Sequence, residues 1–89
     1  MAAAALERLR KVYMRVGGCC VFCGRALRLH EAHLDHEQGA AAVADAPEGE
    51  LHCSCSDCRT EKGERTSAEY RHLRRSRLAA EMLALLGTR

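Results

Sequence analysis

The chain has 89 residues, 14 Lys and Arg against 12 Asp and Glu, and only three aromatic side chains, Tyr13, Phe22 and Tyr70. One small domain of this size has a marginal core, and a bound metal is a common remedy. No stretch is apolar for long enough to span a bilayer, and Ala2–Leu6 runs straight into Glu7, Arg8, Arg10 and Lys11, which excludes an uninterrupted signal-type segment. No membrane partner is expected. The expected location is cytoplasmic, where cysteines stay reduced and bind metal; the alternative for six cysteines, a disulfide framework in a secreted chain, fits that N-terminus poorly.

Charge is segregated along the chain. Residues 1–28 carry six basic side chains against Glu7 alone, residues 29–58 carry seven acids and no Lys or Arg, and residues 59–89 carry eight basic side chains against four acids. An acidic centre suits a bound divalent cation, and basic flanks suit a polyanion such as DNA. Two solvated helix faces on either side of an acidic loop would give the same pattern.

In chain order, Ala2–Val16 reads as an amphipathic helix with Leu6, Leu9, Tyr13 and Val16 on one stripe, stopped by Gly17-Gly18. Cys20-Val-Phe-Cys23-Gly24 has the form of a zinc knuckle, with the glycine permitting a tight turn around the thiolates. A strand is expected over Glu31–His36, with Ala32 and Leu34 toward the core and His33 and Asp35 on the other side. Glu37–Glu50, rich in Gly and Ala and containing Pro47, reads as an exposed loop. Leu51–Ser54 suits a returning strand into the second knuckle, Cys55-Ser-Asp-Cys58. A helix is expected to open near Arg59, weakened by Gly63, and a capping box at Thr66-Ser67-Ala68-Glu69 starts a longer one that ends at Gly87. Its apolar face would be Tyr70, Leu73, Leu78, Met82, Leu85 and Leu86, packed on the first helix or on a copy of itself. The single domain thus divides into an N-terminal helix (1–17), a zinc-bound core (19–65) and a C-terminal helix (66–87).

Two Cys-x-x-Cys pairs, Cys20/Cys23 and Cys55/Cys58, point to one closed, structural Zn²⁺ site. Cys53 and His52 offer extra ligands in a competing set, and Cys19 is left as a small buried side chain or a spare thiol. Between the pairs, His33-Leu-Asp35-His36 differs in kind. Asp35 is a hard oxygen ligand suited to Mg²⁺ or Mn²⁺, and a neutral His36 is able to take a proton from water. The plain alternative is a polar strand whose histidines face solvent.

The order Cys20-x-x-Cys23-Gly24, Asp35-His36, Leu51 through Cys55-x-x-Cys58, then Lys62-Gly63 resembles the HNH endonuclease family, in its zinc-knuckle, ββα-metal branch. The resemblance covers Cys20–Lys62, about half the chain. It implies a small α+β domain with a ββα-metal core and flanking helices, hydrolysing DNA phosphodiesters with a divalent metal. It makes His36 the general base, Asp35 a metal ligand, and the four knuckle cysteines the structural zinc ligands. Two positions depart from it: Glu50 stands where the family has an asparagine that orients the histidine, and Arg59 where it has a metal-binding His or Asn. Arginine cannot ligate a cation. Arg59 would instead clamp the phosphate, leaving His33 or Glu61 to complete the metal site.

On this reading the chain is a metal-dependent DNA endonuclease of little sequence preference. Arg8, Lys11, Arg15, Lys62, Arg71, Arg74 and Arg75 would hold the DNA backbone. The alternatives are a catalytically degenerate HNH-like zinc module that binds nucleic acid or protein, and a structural zinc protein with no such role. The chain would be a monomer, or a dimer through its C-terminal helix.

Overall fold

The computed structural model describes residues 3–87; Met1 and Ala2, where the first expected helix begins, and the final basic residue Arg89 lie outside them. Three helices and a two-stranded antiparallel sheet follow in the order α1 (Ala3–Arg15), β1 (His33–His36), β2 (Leu51–Ser54), α2 (Ser56–Lys62) and α3 (Ser67–Gly87). The domain is a small α+β fold.

Helix α1 turns its last two turns, not its first, toward the core. Val12 is 1% exposed and Leu9, Tyr13 and Val16 pack beside it, whereas Leu6 is 49% exposed. The working stripe is therefore 9, 12, 13, 16 at helical spacing, and Leu6 stays outside the core. Gly17 and Gly18 both have φ near +70° (76° and 68°), which ends the helix and reverses the chain. Tyr13 lies across that turn, and its hydroxyl donates to the Leu27 carbonyl at 2.6 Å.

The hairpin pairs His33 with Ser54, Leu34 with Cys53, Asp35 with His52 and His36 with Leu51. Strand β1 is shorter than expected, because Leu29–Glu31 forms a 3-10 turn. The expectation that His33 and Asp35 would face away from the packed side needs correction. Both faces of this hairpin are covered, so Asp35 is 3% exposed and His36 9% exposed. α1 packs on one side, and α2 reaches the other through Lys62 and Arg59.

The loop between the strands contains two further 3-10 turns, Ala40–Ala42 and Glu48–Glu50, and is mostly exposed, although Val43 and Ala46 pack against the core. Two α1 arginines tie it down: Arg8 donates to the Ala46 carbonyl, and Arg15 donates to the Leu51 carbonyl and, at 3.0 Å, to that of Glu48.

Helix α2 starts earlier than expected, at Ser56, because the Cys55 sulfur caps it by accepting the Cys58 N–H at 3.4 Å. The capping box at α3 is present in both directions: Glu69 N–H donates to Thr66 Oγ1 at 3.2 Å, and Thr66 N–H donates to Glu69 Oε1 at 2.8 Å. Only the start of α3 is packed. Tyr70 is fully buried, but Leu78, Met82, Leu83, Leu85 and Leu86 are 54–77% exposed. The apolar end of α3 therefore does not pack on α1, and the molecule is elongated, 56 Å along its longest axis. No helix among the described residues is long and apolar enough to cross a membrane.

Candidate metal centre

Each knuckle holds its sulfurs by local backbone geometry. At the first, Gly24 N–H donates to the Cys20 carbonyl and Cys20 N–H donates to the Arg25 carbonyl, both at 2.9 Å, so residues 20–25 close a tight turn with Gly24 at φ +75°. The second is the capped first turn of α2, which places Cys55 and Cys58 on one side. Val21 N–H donates to the Cys53 carbonyl at 2.9 Å and docks the first knuckle on β2.

The four sulfurs of Cys20, Cys23, Cys55 and Cys58 consequently lie within 4.8 Å of one another, and Cys23 Sγ is 4.0 Å from Cys55 Sγ. All four are free thiols. A tetrahedral zinc ion with Zn–S bonds of about 2.3 Å requires sulfurs roughly 3.8 Å apart, so this set could hold one with small adjustments. Their electrostatics fit a cation as well. Burial pushes the Cys58 thiol up to about 12, with Cys55 and Cys20 adding to the rise against the opposing Tyr70 hydroxyl. Partial burial of its sulfur also raises Cys23, although the residue as a whole is exposed. Cys20 is buried too, but the N–H groups of Cys23, Cys55 and Phe22 bring it down to about 7. Crowded thiols of this kind resist losing their protons together until a metal neutralises the product.

Arg74 of α3 donates to Cys58 Sγ at 3.7 Å and to the Tyr70 hydroxyl at 3.4 Å, adding positive charge beside the sulfurs. The competing ligands lie elsewhere. Cys53 is in the core, its thiol raised by burial; His52 stacks edge-on to Phe22 at 5.7 Å; and Cys19 Sγ faces the Gly17 carbonyl. The four knuckle cysteines are the one such cluster among the described residues.

The Asp35–His36 region is arranged differently. Lys62, 2% exposed, points its Nζ at Asp35 Oδ1 at 2.6 Å and at the His36 carbonyl at 3.1 Å. An ammonium group thus stands beside Asp35 where an incoming cation would have to bind. Lys62 is correspondingly withdrawn from the surface that was expected to meet DNA. Asp35 Oδ2, His52 Nε2 and Ser54 Oγ are buried without a hydrogen-bond partner among the described residues.

His36 has both ring nitrogens engaged. Nδ1 accepts the Gln38 N–H at 3.0 Å, so Nε2 carries the proton and donates to Glu50 Oε1 at 3.1 Å. Glu50, which stands where the resembled family has an asparagine, thus accepts a hydrogen bond from His36. His33 is half-buried, and its Nδ1 accepts from Arg59 at 3.2 Å, which leaves Nε2 as the donor to Ser56 Oγ at 3.0 Å. Burial first, and the Arg59 charge second, hold His33 below its usual range. Glu61 is committed to Tyr70 and Arg77, at 2.7 and 2.8 Å, and does not join Asp35.

Among the remaining arginines, Arg71 pairs with Glu37 at 3.1 Å and lies over the Phe22 ring. Lys11 and Arg75 are exposed and, among the described residues, make no hydrogen bond or ion pair. The roles of Lys62 and Arg74 escaped sequence reasoning because nothing in the local pattern distinguishes a lysine or arginine that turns inward. No family model matches the chain, and no curated protein or solved structure matches it.

Proposed function

We propose that the chain is an HNH-like, zinc-stapled module that binds nucleic acid without hydrolysing it. The observation that carries this reading is the buried Lys62–Asp35 pair, with side chains 2% and 4% exposed. A divalent ion at Asp35 would have to displace an ammonium already in hydrogen-bond contact, and a scissile phosphate would have to reach a carboxylate that solvent does not. His36 does not have a free ring nitrogen to receive a proton from water, because the Gln38 N–H occupies the one lone pair.

The HNH-like part of the reading is supported by the order β1–β2–α2, with one cysteine pair before the hairpin and the other entering α2. Binding is supported by a groove of about 420 Å³ beside the sulfur cluster, whose walls include Phe22, Arg74, Arg75 and Arg77. Arg75 and Arg77 are exposed there, although Arg77 pairs with Glu61 and Glu81 also lines the groove; such cations suit phosphates, and an aromatic edge suits a base. Several basic residues are spent internally, as Arg8, Arg15 and Lys62 are, so the electrostatic footprint is small. The slope of log K against log salt should be about −2 to −4, at roughly −0.9 per phosphate contact.

A metal-dependent nuclease is the second reading, favoured by the juxtaposition of Asp35, His36 and Glu50 at the end of the hairpin. The two are separated by incubating zinc-loaded protein and His36→Ala with supercoiled plasmid and Mg²⁺ or Mn²⁺, alongside a salt series of DNA binding. Salt-sensitive binding without nicking supports the module. Nicking that disappears in His36→Ala establishes the nuclease and refutes the first reading, and absence of binding refutes both.

A further inference from the structure

The four knuckle cysteines are not equally exposed. Cys20, Cys55 and Cys58 are 2%, 1% and 3% exposed, whereas Cys23 is open to solvent at the turn before Gly24. Its sulfur is 4.0 Å from Cys55 Sγ, on the other knuckle. A thiolate is the nucleophile towards peroxides, and accessibility decides which of several thiolates reacts. We infer that Cys23 is an oxidant-reactive modification site for hydroperoxides, and that its oxidation is completed by a disulfide to Cys55.

The chemistry balances with one peroxide. Cys23 Sγ attacks the peroxide, the O–O bond breaks, and the sulfur loses two electrons to become a sulfenic acid while the departing oxygen leaves as water. The Cys55 thiolate then attacks that sulfur, the S–S bond forms, and the sulfenic oxygen takes a proton and leaves as a second water. Two thiolates, one hydrogen peroxide and two protons thus give one disulfide and two waters. Disulfide formation closes the sulfurs from 4.0 Å to a bond of about 2.05 Å.

The consequence is loss of the metal, since Cys20 and Cys58 alone cannot complete a four-coordinate site. The inference concerns the four-cysteine centre in its zinc-bound form. It is independent of whether the module cleaves DNA.

The test begins with metal analysis of the full chain as purified. A chain that proves unable to bind zinc overturns the premise, and this is read before any oxidant is added. Zinc-loaded protein is then titrated with hydrogen peroxide, zinc release is followed with a chromogenic chelator, and disulfides are mapped by peptide mass spectrometry. The expected result is about one zinc released per disulfide, a Cys23–Cys55 bond as the first product, and reversal by a dithiol with added zinc. Cys23→His, which offers a three-cysteine, one-histidine ligand set, should keep zinc and release it at least about tenfold more slowly. If that variant does not fold, the disulfide map of the parent chain still decides. A first disulfide that lacks Cys23 or joins it to another cysteine, or release from Cys23→His at the parent rate, overturns the inference.

Discussion

Lys62→Met is the most exacting test of how the hairpin and α2 are joined. Methionine keeps most of the aliphatic volume but removes the ammonium that lies 2.6 Å from Asp35 Oδ1 and 5.6 Å from the centre of the Phe22 ring. Both side chains are at least 96% buried, so Asp35 is left as an unpaired charge in a site where Oδ2 has no hydrogen-bond partner. Breaking a buried pair from one side costs about 3–5 kcal/mol. For a domain under 100 residues each kcal/mol moves the midpoint by about 4–8 °C, so the drop should be at least about 12 °C. Asp35→Asn combined with Lys62→Met should recover more than half of that, since the uncompensated charge is gone. The assay is thermal and urea denaturation of each variant at saturating zinc, with metal content verified. A loss under about 1 kcal/mol for Lys62→Met would refute the reasoning, because solvent or a flexible contact would then be supplying what we assign to the ammonium.

Removal of zinc by a strong chelator should abolish the cooperative transition of the sheet and α2, because binding and folding are one equilibrium in a core this small; circular dichroism with metal analysis checks it. Burial, ahead of the raising influence of Asp35 and Glu37, holds His52 below its usual 6.5, and His33 is lowered by burial and then Arg59. Folding therefore favours their neutral forms, so stability is present above about pH 6.5 and lost as pH falls below it, and His52→Gln should flatten that slope at constant zinc content. Gly18→Ala should cost about 1–3 kcal/mol, since φ is +68° and the new Cβ would meet the Tyr13 ring at 3.0 Å. Gly17→Ala, at φ +76° with nothing within 4 Å, should cost only the backbone strain, and the difference in denaturation free energy measures the Tyr13 contact.

What sequence determined here is chemistry that acts over a few residues. Paired cysteines two apart, a glycine after the first knuckle, the Thr66–Glu69 box and the alternation around Leu51 each specify a local geometry whatever surrounds them, and the sulfur cluster follows from their spacing. Tertiary structure decided which polar groups turn inward. Asp35 was expected on the face of a strand away from Ala32 and Leu34, as a ligand to a divalent metal, but α2 brings Lys62 across 27 positions to meet it, and burial then makes the pairing obligatory. Arg74 has the same composition-level signature as the exposed Arg75, yet one turns onto a cysteine sulfur and the other does not. Helix α3 is the converse case: its apolar residues have the pattern of a core face, but only Tyr70 and Leu73 reach the core, because the first knuckle and α2, which its start packs against, are too small to cover 21 residues of helix. Periodicity states which side of a helix is apolar; how far the packed surface extends depends on elements distant in the chain.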